Sequence, residues 1–182
     1  MSTSRRVAAA AALLLLASCA GQRATPTSKG PALGEPVDAT EVARYDISIP
    51  PSGAGLPKGS GTARAGAAVY EQKCQACHGA KGAGKPADAL AGGIGSLATK
   101  TPVRTVGSYW PYATTLFEYV RRAMPITNPL SLSDEETYAV TAYVLYLNGI
   151  IGEDLAMDAQ SLPQVKMPNR DGFISDWPPK SK

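Results

Sequence analysis

The chain has one histidine, three cysteines, two phenylalanines and two tryptophans in 182 residues. The only cysteine besides the pair at 74 and 77 is Cys19, so a closed zinc site lacks its second pair of ligands. Three cysteines also make no disulfide framework. Charge is scarce as well: the formal net charge is +3, and Arg5 and Arg6 supply two of those three. So small a balance carries no footprint of nucleic-acid binding. No apolar run reaches the about 20 residues that a permanent membrane-spanning helix needs, and no internal repeat is visible. Glycine (18) and proline (15) are plentiful, and the prolines crowd the two ends of the chain.

Against that background one stretch stands out, Cys74-Gln75-Ala76-Cys77-His78. On a helical turn Cys74 and Cys77 lie at i and i+3, with His78 at i+4, on neighbouring faces. Two thiols so spaced can bond the two vinyl groups along one porphyrin edge, while the adjacent imidazole ligates the iron. The stretch therefore reads as the covalent attachment site of one haem c. A thioredoxin-like pair would want a βαβ context, and a chance CxxC without chemistry is the bland alternative.

With His78 used, bis-His ligation within one molecule is excluded, leaving Met, Lys, water or an open position for the sixth site. Met1 leaves with a leader, and Met157 and Met167 lie past the last core helix. Met124 lies on a loop between two helices, stiffened by Pro125. Methionine is often mere core filler, but position favours Met124 as the ligand. A His/Met pair raises the reduction potential and fills both axial sites, a design for electron transfer. An open sixth site would instead make a gas-binding sensor. The second nitrogen of His78 wants a carbonyl acceptor, for which the region of Pro86 is the candidate. Tyr109, Trp110 and Tyr112 are candidates for covering the haem or bonding a propionate, with simple core packing as the alternative.

Residues 1–18 read as a signal peptide: Arg5-Arg6, an apolar run from Val7 to Ala17, then small residues. Leu16-Ala17-Ser18-Cys19 resembles a bacterial lipobox, which would acylate Cys19 and anchor an exported, periplasmic protein to a membrane by lipid alone. An ordinary cleavage site, with Cys19 incidental, is the alternative. Residues 19–58, with six prolines, read as a tether. The haem domain follows over 59–149 and is all-α. Its first helix runs from Thr62 to Cys77, with a notch at Gly66. A glycine-rich loop covers Gly79–Gly107 and suits a backbone wrapping a flat cofactor. A second helix is opened by Tyr109–Tyr112 with Pro111 in its first turn, and ends near Arg121-Arg122. These two cations suit a helix C-terminus, or a docking or propionate-binding role. A third helix has the capping box Ser133/Glu136 and ends at Asn148-Gly149; it is expected to cross the first near-perpendicularly, with Tyr143 over Gly66 and Tyr70. Residues 150–182 read as an irregular docking tail.

Several stretches carry a resemblance. Tyr45–Pro57, the haem motif, Thr105–Leu116 with its tryptophan, Arg121–Pro125, Ala142–Gly149 and Met167–Phe173 are together similar to the monohaem cytochrome c subunits of bacterial sulfite dehydrogenases. They also resemble the cytochrome portion of the sulfane dehydrogenase of the sulfur-oxidation system. The resemblance implies a class I cytochrome c fold, axial ligation by His78 and Met124, and a molybdopterin dehydrogenase subunit as partner. That partner would oxidise a sulfur compound and pass electrons singly to the cytochrome, and onward to a downstream cytochrome or oxidase. The chain departs from the sulfane dehydrogenase cytochrome in having one haem motif where that protein has two haem domains. A stand-alone anchored carrier serving another dehydrogenase or oxidase is the second expectation.

Overall fold

A computed structural model describes residues 33–174. The leader and Cys19 therefore lie outside the described residues. The chain divides into two units between Val42 and Ala43. Of the first, residues 33–42 are described; they are exposed and begin a helix, α1 (Ala39–Tyr45), whose Asp38 caps it by accepting from the Glu41 N–H at 2.9 Å. Among the described residues no helix is long and apolar enough to cross a membrane.

Among its described residues the second unit is helical, with one two-residue strand pair. Helix α2 (Ala63–Lys73) starts where the Thr62 hydroxyl accepts from the Ala65 N–H at 3.2 Å. It buries Ala63, Gly66 and Tyr70, which share one face. Helix α3 (Gln75–His78) follows after a break at Cys74, whose φ of −124° is not helical. One helix from Thr62 to Cys77 was the expectation; the turn nevertheless persists, since the N–H groups of Cys77 and His78 both bond to the Cys74 carbonyl.

Helix α4 (Val106–Tyr109) and helix α5 (Ala113–Ala123) replace the expected single second helix. Trp110 precedes a proline and is held extended, as steric clash with the proline ring requires. Pro111 thus stands outside the helix, one residue before the N-cap Tyr112. Helix α6 (Asp134–Leu147) has the full capping box, Ser133 hydroxyl to the Glu136 N–H and Glu136 carboxylate to the Ser133 N–H. Three acidic residues in its first turn complement the helix dipole.

Helix α6 is the centre of the unit. Its most extensive neighbour is α2, followed by strand β1 (Ser60–Gly61) and α5. The approach to α2 is so close that a Cβ on Gly66 would strike the Ala139 carbonyl oxygen and the Tyr143 Cβ. Tyr143 meets Tyr70 across the same seam, ring centroids 5.2 Å apart. On the opposite side Phe117 and Tyr138 pack at 4.4 Å.

Both ends of the expected haem domain need correction. Ile49, at 3 % exposure, belongs to the core, Leu56 packs on it, and the Pro57 carbonyl accepts from the Tyr138 hydroxyl at 2.9 Å. The last ten residues of the expected tether are therefore part of the folded domain. Likewise 150–174 is not an irregular appendage. Strand β2 (Met157–Asp158) pairs antiparallel with β1, and Met157, Leu162 and Met167 are buried in the core. Burial of three large apolar side chains, about 1.5–3 kcal/mol each, ties this segment down.

Candidate functional site

The haem motif sits at the end of the α2–α6 seam. Cys74 packs against the core, Cys77 is exposed, and neither is in a disulfide. Burial, partly offset by Lys73 and reinforced by Cys77, pushes the Cys74 thiol up to about 11. A redox-active CxxC needs the opposite, a thiolate stabilised at neutral pH. Cys74 is therefore not the activated thiolate of such a pair.

His78 Nδ1 lies 2.9 Å from the Asp88 carbonyl oxygen. A carbonyl can only accept, so in the neutral ring Nδ1 carries the proton and the Nε2 lone pair is free for a metal. The acceptor is two residues beyond Pro86, in the region read from sequence; a backbone carbonyl leaves no residue-type signal by which to find it.

The loop around this carbonyl is stapled throughout. The His78 carbonyl accepts from the Gly84 N–H (2.7 Å), that of Cys77 from Ala87 (2.8 Å), and that of Gly82 from Leu90 (2.8 Å). Tyr70 donates its hydroxyl to the Gly79 carbonyl at 2.8 Å, and burial pushes its pKa to about 12, so it stays a donor. Asn148 reaches across from the end of α6. Its amide nitrogen donates to the Leu90 and Val144 carbonyls, and its oxygen accepts from the Gly92 N–H, all within 3.0 Å. Asn148 is a site-building residue that sequence reading took only for a helix end.

Met124 is the C-cap of α5, half-buried, with its N–H bonded to the Val120 carbonyl at 3.1 Å. Met157 and Met167 are core filler instead, each nearly fully buried. Tyr109 and Tyr112 are engaged by the tail: the Asn169 amide donates to the Tyr109 carbonyl at 2.8 Å, and the Arg170 guanidinium lies 4.2 Å from the Tyr112 ring centroid. Trp110 meets Tyr119 edge-on at 5.6 Å. Arg121 and Arg122 pair with Asp134 and Glu118, which gives them structural partners.

The donor set fits a covalent haem. It offers two unpaired thiols on one turn, an imidazole with its second nitrogen free, and a half-buried thioether at the end of α5. Comparison with known proteins agrees. The family model described as "Cytochrome C oxidase, cbb3-type, subunit III" matches residues 61–144. A chain in the crystal structure of the sulfane dehydrogenase SoxCD from Paracoccus pantotrophus is 40% identical, with a TM-score of 0.75. The match covers 80% of this chain and 72% of that one.

The chain belongs to the class I c-type cytochromes.

Its cofactor is haem c, with iron, and its chemistry is the carriage of electrons. No curated protein matches the sequence.

Proposed function

We propose that this cytochrome is the electron-accepting subunit of a molybdenum-dependent dehydrogenase acting on a sulfane or sulfite group, exported to the periplasm and anchored by lipid at Cys19. The observation that carries the proposal is the likeness to a sulfane dehydrogenase over most of the chain. In this reading Cys74 and Cys77 would hold the haem, and His78 and Met124 would ligate its iron. The haem supplies a one-electron couple. The protein's own residues fix His78 through Asp88, keep the attachment turn in place through Tyr70, and close the α5 end with Met124. Were His78 and Met124 both to hold the iron, the haem would carry electrons only, and the sulfur chemistry would belong to the partner.

The test is affinity purification of the full-length tagged chain from the membranes of its native host. A molybdenum protein recovered in stoichiometric amount, reducing the haem when a sulfane or sulfite donor is added, is the expected result. Recovery of the cytochrome without molybdenum contradicts the proposal and favours a stand-alone carrier. Release of the Cys19→Ser variant into the soluble periplasmic fraction, with its haem spectrum unchanged, tests the anchor.

A further inference from the structure

The Asp88 carbonyl that fixes His78 hangs in a loop with two kinds of tie. Some join the loop to itself and to the haem motif: Ala87 N–H to the Cys77 carbonyl and Leu90 N–H to the Gly82 carbonyl, both at 2.8 Å. Such ties travel with the loop. Others join it to the body of the domain. Between Asp88 and Gly92 these are the Asn148 amide, on the Leu90 carbonyl and the Gly92 N–H, and the Thr105 hydroxyl, on the Gly92 carbonyl at 2.6 Å. The first of these anchors lies only two residues past Asp88, and it belongs to Asn148.

The way α6 ends places Asn148 for this. Gly149, at φ +67°, turns the chain out of the helix, and the Ile150 N–H closes on the Leu145 carbonyl at 3.1 Å. The Asn148 side chain is left against the loop, buried, with both amide hydrogens donated, to Leu90 and Val144, and its oxygen accepting from Gly92. Gly107 of α4 gives it room. A Cβ at 107 would collide with Asn148 Oδ1, and the three atoms nearest to it all belong to Asn148. Gly107 lies within the helix, so its missing side chain serves space and not an unusual backbone angle.

We propose that Asn148, given room by Gly107, is a positioning residue of the axial histidine. It holds the Asp88 carbonyl on His78 Nδ1, which keeps that nitrogen protonated and the imidazole plane fixed. The inference rests on the reading of His78 as the haem ligand and not on the identity of the partner.

Hydrogen exchange followed by NMR in the reduced, full-length holocytochrome tests it. The rate at the His78 ring N–H is read as a ratio to the rates of buried core amides such as Phe117 and Leu145, so that a loss of global stability cancels. Asn148→Ala raises this ratio at least about tenfold, since the loop then opens without the domain. Gly107→Ala raises it by less, through displacement of the amide, and decides alone if Asn148→Ala takes up no haem. Met157→Ala, a cavity in the core at β2, leaves the ratio at its wild-type value. An unchanged ratio in the deciding variant overturns the proposal. So does a ratio that Met157→Ala raises as far, which makes Asn148 an ordinary stabilising residue. A wild type whose His78 ring signals carry no haem-induced shift removes the ligand assignment and this inference together, and recovery of molybdenum bears on neither.

Discussion

From Gly79 to Gly93 the backbone is tied to itself and to helix α6 at nearly every turn, by Gly82, Gly84, Ala87, Leu90 and the amide of Asn148. From Pro125 to Ser131 the hydrogen bonding comes down to one turn, the Asn128 N–H to the Pro125 carbonyl at 2.8 Å. Ile126 and Leu130 in that stretch are 73 % and 63 % exposed. Both segments are irregular, yet one is a rigid mount and the other is a loop between two helices. The histidine side is built by the protein alone. The segment after Met124 has far fewer ties of its own, so local opening should reach it first.

The comparison can be tested by removing supports one at a time. The largest effect comes from the tie on which both sides depend. Cys74→Ala with Cys77→Ala should take covalent haem, scored after denaturation and acid–acetone extraction, from one per chain to none. Haem that extracts freely from the wild type would instead remove the attachment assignment.

Next is the staple of the histidine side. Asn148→Ala leaves the Leu90 carbonyl and the Gly92 N–H without their partner in a half-buried loop. Each such group costs about 1–3 kcal/mol, so denaturant unfolding should show a loss of roughly 2–6 kcal/mol. Stability equal to the wild type would mean that the loop is not a mount, and the contrast between the two sides would fall.

The smallest effect lies at the foot of helix α6. Lys73 first, and then the Ser133 N–H, hold the Glu136 carboxyl below its ordinary value. A depressed carboxyl contributes stability above its unfolded pKa and loses it as pH falls through the folded one. Acid titration of stability from about pH 5 downward should therefore be shallower in Glu136→Gln than in the wild type. The side chain is about one-third exposed, so after solvent screening the difference should stay below about 1 kcal/mol. Identical profiles would show that the Lys73–Glu136 pair adds nothing to the α2–α6 seam.

What the sequence disclosed follows from how local each signal is. The haem motif, the Ser133/Glu136 box and the notch at Gly66 are written within a few consecutive residues or one helical period, and the structure has them where they were read. Long-range features left no such mark. Ile49 looks like part of a proline-rich tether until Tyr138 is seen to reach Pro57, and Met157 and Met167 look like tail residues until β2 pairs with β1. Asn148 resembles any helix-ending asparagine; only the return of the loop to α6 gives its amide three partners. The tail motif Met167–Phe173 was visible as a pattern, but its target at Tyr109 and Tyr112 is some 60 positions away.

The central claim is that the two sides meet at one iron, with His78 from the rigid mount and Met124 from the loose one. The absorption spectrum of the oxidised Met124→Ala holocytochrome tests it most directly. The account predicts a high-spin spectrum without the methionine–iron charge-transfer band, and a reduced form that binds carbon monoxide readily. Met157→Ala and Met167→Ala should keep the low-spin spectrum while losing about 2–5 kcal/mol of stability as core cavities. An unaltered low-spin spectrum in Met124→Ala, with loss of the methionine band in Met167→Ala instead, would contradict the account and move the ligand into the tail.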